Sequence, residues 1–126
     1  MPLPVTLLYG GACALLVTLL GTHVSLIRLR TKTFSSADLP RDLARPVRAH
    51  GNAAEWVPLG IILLALLELS GLPSRTLHIL GGALFAGRVL HAVGILSKNS
   101  LSVVGATVNY LVMTAMSVWA IWLHFA

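Results

Sequence analysis

The sequence predicts an all-α integral membrane protein, folded as a bundle of four transmembrane helices. Of its 126 residues, 56% are hydrophobic and only 10% are charged, and the mean hydropathy is +0.86. A soluble domain carries about a quarter charged residues, because its surface faces water. Four apolar runs are separated by short polar segments, and four crossings consume roughly 80 to 100 residues. We therefore expect a single domain, residues 1–126, without a separate soluble part.

The first helix is predicted over about residues 3–28. No charged residue precedes Arg28, and the apolar run is longer than a signal-peptide core, so we expect a retained helix rather than a cleaved leader. Residues 35–40 contain two serines, an aspartate and a proline, which is typical of a loop.

The remaining helices follow with short connections. Pro46 suits the first turn of a helix, and the second helix is predicted over about 46–70, ending before Gly71 and Pro73. The third is predicted over about 74–97 and the fourth over 101–125. Lys98-Asn99-Ser100 forms a tight turn between the last two helices.

Basic residues predict the orientation of the bundle. Lys98 falls in the third connection. Most of the others fall in or beside the first connection: Arg28, Arg30, Lys32, Arg41, Arg45 and Arg48. Connections rich in Lys and Arg stay in the cytoplasm, so both chain termini should lie outside. Trp119 and Trp122 fit an interfacial belt at the outer end. Because topology explains the net charge of +5, no nucleic-acid partner is expected.

Polar side chains inside two helices form the candidate site. Arg48, Asn52 and Glu55 stand at i, i+4 and i+7 and share one helical face. Arg88 and His91 stand at i and i+3 on the third helix, at similar depth. Such groups cost at least about 2.5 kcal/mol near the bilayer centre and are functional candidates by default. The pattern predicts a ligand site open to the cytosol.

A purely structural interpretation of the same residues stays open. Glu55 and Arg88 could form an ion pair between helices, with Asn52 as an interhelical hydrogen-bonding group. Glu68 and Arg75 flank the outer connection and are expected to be solvated. His50 and His91 invite a haem interpretation, which is disfavoured because His50 lies about 160° from the Arg48 face. No spacing resembles a metal site.

Three stretches resemble the MAPEG family, the membrane-associated proteins in eicosanoid and glutathione metabolism. Residues 48–58 read RAHGNAAEWVP, which is similar to the family's helix 2 signature. Residues 28–32, RLRTK, resemble its basic helix 1 exit, and residues 87–91, GRVLH, its helix 3 motif. The resemblance spans essentially the whole chain and points to a small bacterial-type member.

The resemblance implies a homotrimer with glutathione bound between subunits near the cytosolic face of a bacterial inner membrane. Six residues match family glutathione-site or site-supporting positions: Arg28, Arg48, Asn52, Glu55, Arg88 and His91. Their chemistry suits the ligand, because arginines pair with carboxylates, a carboxylate pairs with the ammonium group, and an amide can meet a peptide group. Arg88 could instead hold Glu55 in place.

The sequence departs from the family pattern in the groups that activate the thiol. Family transferases place an arginine at the start of helix 4, where residues 101–105 here read LSVVG. Ile95 replaces a family tyrosine, and Gly51 replaces an arginine of several relatives. The remaining candidates for thiol activation are Tyr110, Ser100, Ser102 and Lys98, which offer a donor or a cation.

The function expected from these observations is a glutathione transferase or peroxidase acting on lipophilic electrophiles dissolved in the bilayer. A non-catalytic binding or structural protein of the same fold is the alternative. A small multidrug transporter is less favoured, because such proteins resemble one another in a helix 1 glutamate and helix 1 here has no carboxylate.

Overall fold

A computed structural model describes residues 3–35 and 39–126. The described chain forms four α-helices: α1 Pro4–Thr31, α2 Arg41–Leu69, α3 Ser74–Ser97 and α4 Leu101–Phe125. All four are long and apolar enough to cross a membrane, since even the 24 residues of α3 extend about 36 Å. This confirms the predicted all-helical fold with four membrane-spanning segments. Part of the predicted loop 35–40 lies outside the described residues.

The two middle helices form the centre of the bundle. Helices α2 and α3 each pack against all three other helices. Within the described chain, α1 and α4 do not pack on each other. At the end where the chain passes from α2 to α3, large side chains fill the core, including Leu64, Leu67, Leu84 and Met116. Nearer the opposite end, a smaller cluster contains mainly alanines beside Leu20. The candidate site adjoins this second cluster.

Helix α2 begins earlier than the sequence predicted. It starts at Arg41, five residues before Pro46, and the carbonyl of Pro40 accepts hydrogen bonds from the backbone of Leu43 and Ala44. Asp42 lies in the first turn, where a negative charge is favoured by the helix dipole. Pro46 removes only one hydrogen bond, close to the helix end, so the helix continues through it. The predicted start at Pro46 is therefore wrong.

Helix α1 also continues past its predicted end at residue 28. It reaches Thr31, and Lys32 then adopts a left-handed conformation with φ of 52°. The backbone N–H of Thr33 donates to the carbonyl of Arg28 at 3.2 Å, which closes the last turn.

The start of α1 is capped by a residue from α2. The N-cap residue, Leu3, makes no side-chain capping hydrogen bond. Instead, Glu68 accepts hydrogen bonds from the backbone N–H of Val5 at 2.9 Å and of Thr6 at 2.7 Å. Those amides have no partner inside the helix, so the carboxylate satisfies two donors that the first turn leaves open. The expectation that Glu68 is merely solvated is wrong.

Glycines bring α3 and α4 into backbone contact. A side chain at Gly94 would collide with the backbone of Ser102, and one at Gly105 would collide with the backbone of His91. Small residues allow helices in lipid to approach closely and gain packing contacts. This approach places the third-helix site residues directly beside the first turns of α4.

Candidate functional site

Arg88 is the central residue of the candidate site. Its side chain is only 3% exposed, and its Nη1 donates a hydrogen bond to Asn52 Oδ1 at 2.8 Å. Its guanidinium carbon lies 5.6 Å from the ring centroid of Trp56, within range of a cation–π interaction. Its Nε has no hydrogen-bond partner among the described residues. A buried cation therefore has a donor that no described group satisfies.

The bond from Arg88 fixes the orientation of Asn52. A guanidinium group can only donate, so the amide oxygen of Asn52 must face it. The Nδ2 group of Asn52 then remains as a donor. Helices α2 and α3 together place this amide donor next to the unpaired guanidinium donor of Arg88.

His91 is held by the start of α4. Its Nδ1 lies 2.6 Å from the carbonyl oxygen of Ser102. A carbonyl oxygen only accepts, so Nδ1 carries the proton and donates it. In the neutral imidazole, Nε2 is then an acceptor, and this nitrogen is the one available to a ligand.

Two cavities meet at His91. The smaller, about 50 Å³, is lined by Asn52, Trp56, Arg88, His91, Ala106 and Tyr110. The larger, about 240 Å³, is lined by Arg45, Arg48, His91, Gly94, Ile95, Lys98, Asn99 and Ser102. The small cavity has room for one polar group, whereas the large one has room for several. We call the two together the paired cavity.

The structure brings together most of the predicted site residues. Asn52, Arg88, His91 and the candidate Tyr110 line the small cavity, while Arg48, Lys98 and Ser102 line the large one. Ser100 is exposed in the α3–α4 turn and lines neither. Arg28 is also apart from both, and its Nη1 donates to the carbonyl of Thr33 at 3.4 Å.

Glu55 does not pair with Arg88. Its side chain is exposed on the surface of the single chain, and Arg88 bonds to Asn52 instead. The alternative in which a Glu55–Arg88 ion pair explains the polar cluster is therefore wrong for the described chain. His50 is also separate from His91, because it packs against Gly21 of α1 while His91 contacts α4.

The sequence interpretation missed Trp56. It contacts both Arg88 and Tyr110, whose ring lies edge-on at a centroid distance of 4.9 Å. Trp56 stands four residues after Asn52, and Tyr110 four residues after Ala106, so each pair shares a helical face. The four-residue spacing could have predicted that the aromatic side chain of Trp56 lies beside the amide of Asn52.

Comparison with known proteins shows the family of the chain. The MAPEG family model matches residues 6–122. The chain belongs to the MAPEG family. Inner membrane protein YecN of Escherichia coli strain K12 is 32% identical over 90 residues, which cover 71% of this chain and 69% of YecN. YecN of Escherichia coli O6:H1 strain CFT073 gives the same values. The resemblance to MAPEG proteins is thus confirmed, and this MAPEG chain is a membrane protein.

Proposed function

We propose that this MAPEG protein binds glutathione in the paired cavity and uses its thiol as a transferase or peroxidase against lipophilic electrophiles. The observation that carries the proposal is the buried guanidinium group of Arg88, whose Nε has no hydrogen-bond partner in the described chain, beside the amide of Asn52. An uncompensated buried cation is costly. An anionic ligand in the small cavity would compensate it.

The remaining groups suit the rest of glutathione. Arg45, Arg48 and Lys98 of the large cavity match its two carboxylates, and arginine can hold a carboxylate with two parallel hydrogen bonds. Glu55 matches the ammonium group. Arg88 and Asn52 line the small cavity. We therefore place the thiol of glutathione, or the amide next to it, in the small cavity.

His91 and Tyr110 would activate the thiol. A thiol reacts as the thiolate and needs a nearby base, donor or cation. His91 Nε2 would take the thiol proton, while Tyr110 and Arg88 would stabilise the sulfur anion. The sulfur then forms a bond to the electrophilic carbon, and the leaving group departs with its electron pair. In peroxide reduction, two thiols give one disulfide, an alcohol and water.

A neighbouring subunit would complete the site. Arg48 and Glu55 are both exposed on the single chain, although Glu55 lies well inside a membrane-spanning helix. A carboxylate facing lipid costs at least about 2.5 kcal/mol, and contact with a second copy would remove that exposure. We propose a homotrimer with the paired cavity facing the cytoplasm. We place it in an inner membrane, because YecN is named as an inner membrane protein. Native mass spectrometry of the solubilised protein tests the subunit number.

Glutathione-dependent thermal stabilisation tests binding. A ligand at 100 times its Kd adds about 2.7 kcal/mol to stability, which raises the Tm by several degrees. Arg48→Ala and Asn52→Leu should remove most of this shift. Arg75→Ala is the matched control, because it deletes an exposed arginine at the opposite end of the bundle. Equal shifts in all four proteins would refute glutathione binding at this site.

Turnover needs a separate measurement. We expect conjugation of lipophilic halides or reduction of lipid hydroperoxides to depend on His91 and Tyr110. Binding without turnover over a broad panel of such substrates would instead support the non-catalytic alternative, which the missing arginine at the start of α4 favours. Tyr110→Phe and His91→Gln in the binding assay separate loss of chemistry from loss of ligand.

A further inference from the structure

A larger cavity lies beside the paired cavity, on the α1 side of the bundle. Its volume is about 550 Å³, and three helices line it: His23 and Ile27 from α1, Arg41, Asp42, Arg45 and Pro46 from α2, and Leu96 from α3, with Lys98 at the α3 end. We call it the α1 cavity. It shares Arg45 and Lys98 with the large part of the paired cavity, but its other six lining residues are its own.

Charge in the α1 cavity is strongly one-sided. Its lining contains three cations, Arg41, Arg45 and Lys98, but a single carboxylate, that of Asp42. The whole chain has only nine lysines and arginines. Helix α2 begins at Arg41, so the positive end of its dipole lies at the same place. Each of these features attracts an anion.

Apolar side chains also line the α1 cavity. Ile27, Pro46 and Leu96 contribute apolar surface beside the charged groups, and His23 lies two turns before the end of α1 at Thr31. Two turns correspond to about 11 Å along the helix. A cavity lined by both cations and apolar side chains matches an amphiphile at the membrane surface, and basic pockets between transmembrane helices on the cytoplasmic side of a bilayer hold anionic lipid head groups.

We propose that the α1 cavity binds a phosphate group at the membrane surface, carried by an anionic phospholipid or by a small soluble phosphate ester. Arg41 is its main ligand and donates paired hydrogen bonds to phosphate oxygens, while Arg45 and Lys98, which the paired cavity shares, add positive charge beside it. Ile27 and Leu96 contact the glycerol or first acyl carbons when the ligand is a lipid. Asp42 opposes binding and sets its strength.

The test uses native mass spectrometry of the full-length protein in detergent, titrated with phosphatidylglycerol or phosphatidylcholine. Phosphatidylglycerol should bind more tightly, and Arg41→Gln should weaken it about fivefold, the contribution of one basic residue at a membrane surface. Asp42→Asn should strengthen it. Arg30→Gln is the matched control, because Arg30 is exposed at the same end of the bundle and lines none of these cavities.

Three further measurements decide the source and the site. Glycerol 3-phosphate in a thermal-shift titration distinguishes a soluble ester from a lipid, again by its dependence on Arg41. Leu96→Trp should fill the cavity and lower phosphatidylglycerol binding without changing any charge.

Equal losses in Arg41→Gln and Arg30→Gln would overturn the proposal, as would absence of binding by both probes. Displacement of the lipid by glutathione that itself depends on Arg41 would also overturn it, because the cavity would then belong to the thiol site.

Discussion

Two carboxylates on α2, Glu55 and Glu68, have opposite surroundings. Glu68 accepts two backbone hydrogen bonds from the first turn of α1. Glu55 is exposed and has no hydrogen-bond or ion-pair partner in the described part of the chain. The first therefore contributes to the stability of the single chain, and the second is available to a ligand or a neighbouring subunit.

Substitution of these carboxylates should separate stability from binding. Glu68→Gln keeps the size but weakens charged hydrogen bonds to two amides, and we expect a loss of about 1 kcal/mol, typical of a helix cap. Glu55→Gln should change the free energy of unfolding by less than about 0.5 kcal/mol but weaken glutathione binding. Denaturant unfolding and glutathione titration of both variants check this. Similar stability of Glu68→Gln and the unaltered protein would exclude the capping role.

Trp56 is expected to position Arg88. Its ring lies against the guanidinium group, and loss of a cation–π contact of about 1 kcal/mol corresponds to about a fivefold change in affinity. Trp56→Leu should therefore raise the Kd for glutathione about fivefold. Trp119→Leu is the control, because Trp119 lies in the last two turns of α4, away from the start of that helix where the site lies. A Kd that changes equally in both variants would show that Trp56 has no specific role.

At the scale of helices, the α3–α4 contact determines the geometry of the site. His91 reaches the carbonyl of Ser102 only because Gly94 and Gly105 allow the two backbones to touch. A methyl group at Gly94 has no space, since it would meet the backbone of Ser102. Backbone atoms cannot move aside as a flexible side chain can.

Gly94→Ala should consequently separate α3 from α4. We expect a loss of about 1 to 3 kcal/mol, as for other overpacked positions, together with weaker glutathione binding through the lost His91–Ser102 bond. Gly11→Ala is the matched control, because nothing lies near its added methyl group. That variant should gain about 0.5 to 1 kcal/mol, since alanine favours a helix over glycine. Thermal unfolding of both proteins measures the difference, and a stable Gly94→Ala protein would contradict the close approach.

Local patterns in the sequence predicted the helix ends correctly where a proline or a polar turn separates two helices. Pro73 and the Lys98-Asn99-Ser100 turn correctly bound α3 and α4. Pro46 misled the prediction for α2, because a proline is tolerated near a helix start as well as at it. Helical spacing placed Asn52 on one face of α2 and Arg88 with His91 on one face of α3, and the positions of these residues along the helices predicted their similar depth. Spacing alone did not show that Asn52 rather than Glu55 bonds Arg88, because that choice depends on how α2 is rotated toward α3.

For the whole molecule, charge is concentrated at one end of the bundle. The exit of α1, the start of α2 and the α3–α4 turn contribute most of the arginines and lysines. The paired cavity and the α1 cavity are both lined by residues of this end. Orientation in the membrane therefore decides which compartment supplies ligands to both.

Cysteine labelling tests the orientation predicted by the positive-inside rule. In a Cys13→Ala background, Ser74→Cys and Asn99→Cys place single exposed thiols at opposite ends of the bundle, since Ser74 and Asn99 are both exposed. A membrane-impermeant maleimide added to intact spheroplasts should label Ser74→Cys at once and Asn99→Cys only after permeabilisation. Cys13 itself is buried, so background should be low even without its replacement. The reverse pattern would place the paired cavity outside the cytoplasm, where glutathione supplied from the cytosol could not reach it.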